Sequence, residues 1–378
     1  MRAHVSLSIG VLTALFSTSG WAQAPESGAP PSKPAFNEAG YRHLDETLTA
    51  LRARNAKAFA IDPVRGIDEG SYVRIGGIEQ WITIRGEDRK NPVLLFLHGG
   101  PGDVTNPWSF AIFAPWEKHF TVVQWDERGA GRTFSKNGAA IASTMTLDRM
   151  AQDGIELSEY LRNHLSKEKI VVVAHSFGTV LGLRMVRARP DLYSAYVGTG
   201  EVADETKNYS AAYEALLKRA QVSGNQRALA DLRRIGPPPY STGEGYRVQW
   251  KWANGFEGAD QFLFSTIGFA LVSPGCSVQD FKDAEEGEVF SADRLVPQLR
   301  SSTPKQFGLS FKLPVFFFQG DSDFTAPTAL VRQYFAMLQA PYKKLVLIPN
   351  AGHFAVFMRS DVFLKELVAR VRPLAVRR

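Results

Sequence analysis

Apolar positions along this chain fall into short unbroken runs and longer spaced series. Pro92-Val-Leu-Leu-Phe-Leu97 is continuous, as in a strand covered on both faces of a parallel sheet. Phe120-Thr-Val-Val-Gln-Trp125, Ile170-Val-Val-Val-Ala174, Tyr193-Ser-Ala-Tyr-Val197, Pro314-Val-Phe-Phe-Phe318 and Lys344-Leu-Val-Leu-Ile348 predict further strands. Earlier, residues 72–84 alternate around Gly76-Gly77, the pattern of a hairpin. Between the runs, Leu147, Met150, Ile155, Leu157 and Leu161 recur at roughly helical spacing. Helices are also expected from Ser176 through Arg187, around residues 329–338, and around residues 356–371. Strands alternating with helices predict an α/β fold with a mostly parallel, right-handed, doubly covered sheet.

The alternation stops between about Asp204 and Lys305, where helical pieces (residues 213–220 and 226–235), a Pro-rich turn at 236–240 and many aromatics stand instead. This stretch is expected to form an inserted, mainly helical cap. The predicted organisation is a signal peptide at 1–22, a flexible linker at 23–40, the first part of the core at 41–203, the cap at 204–305 and the second part of the core at 306–378.

The N-terminal assignment rests on a basic start (Arg2, His4), an apolar run from Val5 to Phe16 too short to span a bilayer, and small residues that offer cleavage after Ala22 or Ala24. Ala22 is preferred, since cutting after Ala24 would leave Pro25 beside the bond. An uncleaved anchor is the alternative. Export to the periplasm or outside is therefore expected, with no membrane association beyond this segment. Residues 25–34 are rich in Pro, Ser and Gly and cannot bury a core.

Composition changes little in this picture. With 44% apolar and 22% charged residues the chain is an ordinary folded protein. A net charge of +6 is modest, and scattered basic residues without a basic-aromatic stripe argue against nucleic acid as a partner. The single cysteine, Cys276, excludes an intramolecular disulfide and carries no nucleophile signature.

The chemistry begins at Val172-Val-Ala-His-Ser-Phe-Gly-Thr179, where a serine stands between a buried strand and a helix. Ala174 and Gly178, two residues either side of Ser176, are small enough for the sharp turn of a nucleophile elbow. Such a turn lifts the hydroxyl clear of the sheet. It also aims the Phe177 N–H and the helix N-terminus at developing negative charge. His98-Gly-Gly-Pro-Gly102 follows another buried strand, and the Gly100 N–H is the expected second oxyanion donor. A serine hydroxyl needs a base, and the base needs an orienting acid. With the chain order Ser, acid, His, the base is His353 in Ile348-Pro-Asn-Ala-Gly-His353. Phe316-Phe-Phe-Gln-Gly-Asp-Ser-Asp323 supplies two acids. Asp323 is preferred because it lies further out on the loop, and Asp321 is the rival. His175 is expected beneath the site. No metal-ligand spacing or cofactor motif is present, and the chemistry requires no cofactor.

His98-Gly-Gly-Pro-Gly102, Trp125-Asp-Glu-Arg-Gly-Ala-Gly-Arg-Thr133, Ala174-His-Ser-Phe-Gly178, Gly320-Asp-Ser-Asp323 and Gly352-His353 together resemble the proline iminopeptidase (prolyl aminopeptidase) family of α/β-hydrolases. The resemblance covers about residues 70–200 and 310–375. It implies an enzyme that removes an N-terminal residue, often proline, from a peptide, with cap carboxylates for the free amine and apolar walls for the side chain. Members commonly carry Gln where this chain has Glu127, and a small residue where it has Asp103. Phe177 fits only loosely the bulky aromatic that follows the serine there. Glu201, just after a strand end, and Glu214 or Glu257 in the cap are candidate amine ligands, and Trp250 is among cap aromatics that could line a pocket.

The expected activity is thus a serine aminopeptidase acting on short peptides. A carboxylesterase or small-amide hydrolase is the alternative, and a non-catalytic binding protein a remote one. The oligomeric state is left open by the sequence.

Overall fold

The computed structural model describes residues 38–240, 243–300 and 302–376. The expected signal peptide and most of the expected linker lie outside these residues. Two units are distinguished, residues 1–46 and 47–378. The described part of the first is the opening of a helix, Glu38–Ala58, which continues into the second. The sequence pattern did not predict this helix, because most of its positions are exposed and leave no apolar stripe to read.

Eight strands form one sheet among the described residues, in the order β1-β2-β4-β3-β5-β6-β7-β8. β1 (Ile67–Ile75) and β2 (Ile78–Gly86) form the predicted hairpin around Gly76-Gly77, and β2 pairs antiparallel with β4 (Thr121–Trp125). From β4 onward all pairings are parallel, through β3 (Val93–Leu97), β5 (Ile170–His175), β6 (Tyr193–Thr199), β7 (Val315–Gly320) and β8 (Lys343–Ile348). Strands β3, β4, β5 and β7 are buried at every position, which is why their sequences run apolar without alternation. One apolar cluster holds Leu95, Leu97, Val172, Ala174 and Phe317. A second holds Leu94, Phe96, Val171, Val173 and Phe316. Neighbours along a strand thus point to opposite faces, each covered by helices.

The helix Leu147–His164 starts where Thr146 accepts the Arg149 N–H at 3.1 Å, and it buries the series predicted from Leu147 to Leu161. The helix expected at 356–371 is instead broken. Ala355–Met358 and Ser360–Glu366 are separated at Arg359, whose φ of −124° and ψ of 42° are not helical, and a wider turn at Leu367–Val371 follows.

Between β6 and β7 the chain leaves the sheet. Helices Glu205–Val222, Gln226–Ile235, Gly243–Glu257, Ala259–Leu271, Val278–Leu299 and the single turn Pro304–Phe307 fill this interval. Tyr213, Leu216, Leu229, Leu232 and Ala253 form their own apolar cluster, with Trp252, Phe256 and Phe324 packed against it. Phe324 belongs to the loop after β7, so core and cap share this cluster.

β3 pairs with β4 on one side and β5 on the other, so the chain reverses its direction of travel across the sheet between β3 and β5. A crevice opens at the carboxyl ends of strands at such a point, the usual place for ligands in open α/β sheets.

Candidate active site

Ser176 sits where β5 meets the helix Phe177–Ala188, with φ 52° and ψ −121°. A non-glycine residue in this region costs on the order of 1–3 kcal/mol, which the surroundings must overcome. They do so through four hydrogen bonds. The Ser176 N–H donates to the Thr199 carbonyl at 3.0 Å, and its own carbonyl accepts from the Thr179 N–H and hydroxyl at 2.9 and 2.7 Å. The Thr179 hydroxyl in turn accepts the Val202 N–H at 3.1 Å. A Cβ on Gly178 would stand 2.5 Å from the Leu97 carbonyl and 2.6 Å from that of His98, so the turn closes against β3 only with glycine there.

The three residues expected to cooperate come together. Ser176 Oγ lies 2.9 Å from His353 Nε2, and His353 Nδ1 lies 3.1 and 3.3 Å from the two oxygens of Asp323. Asp323 is held independently of the histidine. Its Oδ1 accepts the N–H groups of Thr325 and Ala326 at 2.9 and 2.7 Å, and its Oδ2 accepts from Gln319 Nε2 at 2.7 Å. Asp321 faces elsewhere and accepts the N–H groups of Asn350 and Ala351. Burial alone would push the His353 imidazolium toward losing its proton. The Asp323 carboxylate, by charge and hydrogen bond, and the charge of Glu257 outweigh this and raise its pKa above 6.5. His353 is therefore a stronger base than free imidazole. His175 lies beneath it, with Nε2 3.0 Å from the His353 carbonyl, and burial drives its pKa far down, so it stays neutral.

A cleft of about 180 Å³ opens above Ser176 and His353. Gly100 and Phe177 both line it beside the serine, and the first N–H groups of a helix have no partner within it. Val202, Val296, Leu299 and Phe324 supply apolar wall, and Glu205, Asn208, Tyr209 and Gln249 a polar one.

The candidate substrate-binding residues separate clearly. Trp250 lines the cleft and is 54% exposed. Glu214 lies on the exposed face of its helix, away from the cleft-lining residues. Glu201 is buried beneath the site, where its Oε2 accepts from the Tyr196 hydroxyl at 3.0 Å. Burial pushes its pKa up to about 8. Glu257 is behind His353, not in the cleft, with both oxygens on backbone N–H groups.

Two residues escaped the sequence reading. Glu205, the first residue of its helix, faces the cleft and shares a hydrogen bond with Tyr209. Burial pushes its pKa up to about 7. Gln319 links the Asp323 oxygen to the Glu201 N–H, which it accepts at 3.1 Å. Its only signal was a lone polar residue at the end of a phenylalanine run.

The two motifs carrying the resemblance also meet. Neutral His98 donates from Nδ1 to the Gly99 carbonyl at 2.9 Å and accepts the Glu127 N–H on Nε2 at 3.3 Å. Burial holds its pKa down at about 4. Arg128 braces the same segment through Asp153 at 2.6 Å and the Gly76 carbonyl at 2.9 Å. The Glu127 carboxyl is fully buried, and among the described residues neither oxygen has a hydrogen-bond partner. Burial first, then the charges of Asp103, Asp153 and Asp126, raise its pKa well above 4.5. A carboxyl raised in this way favours the folded state below its ordinary range, and that contribution is lost as pH rises toward the folded pKa. Glu127→Gln, which imitates the protonated form, is expected to melt with the parent protein at pH 4. It should melt increasingly above it as pH rises from about 4.5, the ordinary carboxyl value, toward the raised value in the fold. A melting series from pH 4 to 9 checks this, and parallel curves would show Glu127 to be ionised in the fold.

Among the described residues no cluster of three or more His, Cys, Asp or Glu could hold a metal ion, and no helix is long and apolar enough to cross a membrane.

Comparisons with known proteins support the fold. The family profile described as alpha/beta hydrolase fold matches residues 92–359. The chain is 29% identical over 306 residues to a protein of Bacillus subtilis (strain 168) named probable aminopeptidase YbaC, covering 79% of this chain and 94% of that one. It is 36% identical over 104 residues to a probable proline iminopeptidase of Streptomyces coelicolor, covering 28% of this chain and 31% of that one. The solved structure of a proline iminopeptidase-related protein from Thermus thermophilus superposes with a TM-score of 0.50 at 21% identity, over 82% of this chain and 98% of that one. With a doubly covered parallel sheet, a serine at the β5 turn and this profile spanning most of its length, the chain belongs to the alpha/beta hydrolase fold family.

Proposed function

We propose that the protein is a serine aminopeptidase that releases N-terminal residues, proline foremost, from short peptides. The observation that carries this reading is Glu205, a carboxyl on the wall of the cleft that also holds Ser176 Oγ and His353 Nε2. An α-ammonium bound there would place the first carbonyl of a peptide near the serine, and the small cleft suits a single residue. The aligned aminopeptidase, which matches most of this chain, supports the same reading.

In the proposed reaction His353 Nε2 takes the Ser176 proton as Oγ attacks the carbonyl. The N–H groups of Gly100 and Phe177 stabilise the oxyanion, and the imidazolium returns the proton to the departing amine. Water deprotonated by His353 then hydrolyses the Ser176 ester. The N-terminal pattern supports placing this activity outside the cytoplasm. The apolar wall favours a carboxylesterase as the second reading.

Aminoacyl arylamides with free and acylated amines separate the two. We expect at least a hundredfold higher kcat/KM for free prolyl or alanyl arylamide. Glu205→Gln is expected to remove most of that preference through KM while leaving the hydrolysis of short acyl nitrophenyl esters within a few-fold. Equal rates on blocked and free substrates would overturn the aminopeptidase reading.

A further inference from the structure

We infer that Glu257, at the end of a cap helix, is a positioning residue that clamps the acid loop and the histidine loop together. The inference rests on the Ser176–His353–Asp323 mechanism proposed above but not on its specificity for amines.

Glu257 is the last residue of the helix Gly243–Glu257. Its Oε1 accepts the Phe324 N–H at 2.7 Å, and its Oε2 accepts the His353 N–H at 2.7 Å. Phe324 directly follows Asp323, so one carboxylate ties the main chain beside the acid to the main chain of the base. Two main-chain N–H groups from loops that follow different strands thus converge on one buried carboxyl group, whose pKa burial and the Asp323 charge push up to about 7, and both bonds strengthen when it is ionised. The distance they set is the one between Asp323 and His353 Nδ1.

Gly352 is shaped for this contact, since a Cβ there would run into the Glu257 carboxylate. The packing agrees, because Phe256 and Phe324 meet with ring centroids 6.3 Å apart. Gln249, Trp250 and Ala253 of the same helix line the cleft. The helix that meets the substrate therefore ends on the bond that aligns the triad.

An alternative role, direct capture of the substrate's ammonium by Glu257, makes a different prediction for substrates that have no amine. Glu257→Gln removes the charge and can accept only one of the two N–H groups through its carbonyl. It is expected to lower kcat for a short acyl nitrophenyl ester about 10- to 100-fold, in line with the cost of ångström-scale misplacement in an active site. KM should stay within about threefold. The free-amine arylamide should lose kcat in the same proportion, and labelling of Ser176 by a fluorophosphonate should slow with it.

Gly352→Ala keeps the carboxylate but wedges it away, and carries the same expectation should Glu257→Gln melt below the assay temperature. Combining the two should cost little more than either alone, because both break one contact. Unchanged ester turnover and labelling with only a raised KM for free-amine arylamides would overturn the clamp and make Glu257 an amine ligand. So would losses that multiply in the double variant. The ester and the phosphonate report on the triad even if the protein proves to be no aminopeptidase, so the two readings fail separately.

Discussion

Ser176→Ala is expected to lower kcat on any accepted substrate by about 10⁵- to 10⁶-fold, leaving only what binding and the oxyanion donors supply. That loss corresponds to roughly 7–8 kcal/mol of transition-state stabilisation. It should come without a loss of folding, because alanine inherits the φ of 52° and every main-chain hydrogen bond that holds the turn. Ser176→Gly adds a second reading of the same position. It is equally inactive, yet it escapes the backbone strain and is expected to melt higher than the alanine variant by the equivalent of about 1 kcal/mol. Turnover of the alanine variant within a hundredfold of the parent would remove Ser176 from the mechanism.

The second large effect is expected at Asp323. Asp323→Asn keeps the side chain's shape but turns an amide toward either His353 Nδ1 or the N–H groups of Thr325 and Ala326. Gln319 already donates to Oδ2, so an amide nitrogen there would face another donor. The imidazole loses the partner that fixes its tautomer, and kcat should fall by about 10⁴-fold. Asp321→Asn, two residues earlier, should stay within tenfold, since among the described residues Asp321 bonds to Ser322 and to the N–H groups of Asn350 and Ala351 and not to His353. Comparable losses at the two positions, measured side by side on one substrate, would reassign the acid.

The sheet and the meeting of Ser176, His353 and Asp323 could be read from the sequence because both depend on local rules. Buried parallel strands need uninterrupted apolar runs, and a serine turn needs small flanks. The order of serine, acid and histidine then leaves few positions to choose among. The cap resisted for the opposite reason. Which of the nearby carboxyls enters the cleft depends on how these helices pack on the core, not on spacing along any one of them. Thus Glu214 turned to solvent, Glu201 went beneath the site, and Glu205, not singled out beforehand, faced the cleft. The helix Glu38–Ala58 escaped because its exposed surface leaves no periodic apolar face. The broken C-terminal helix escaped because a single departure at Arg359 has no sequence mark such as proline.

The contact between Glu257 and the segment at Gly352-His353 also bears on how such a chain could change over evolutionary time. An insertion that only covered a cleft could be exchanged wholesale, with new walls giving new substrates. Here the insertion also supplies a hydrogen-bond acceptor to the loop that carries His353, 96 residues further along the chain. A transplanted cap would bring a new pocket and leave the histidine loop without its brace, unless a carboxylate at the helix end and a glycine before the histidine travelled as a pair. Specificity and competence are in that sense inherited together, and chimeras made by cutting at the ends of the insertion should be built with both residues retained.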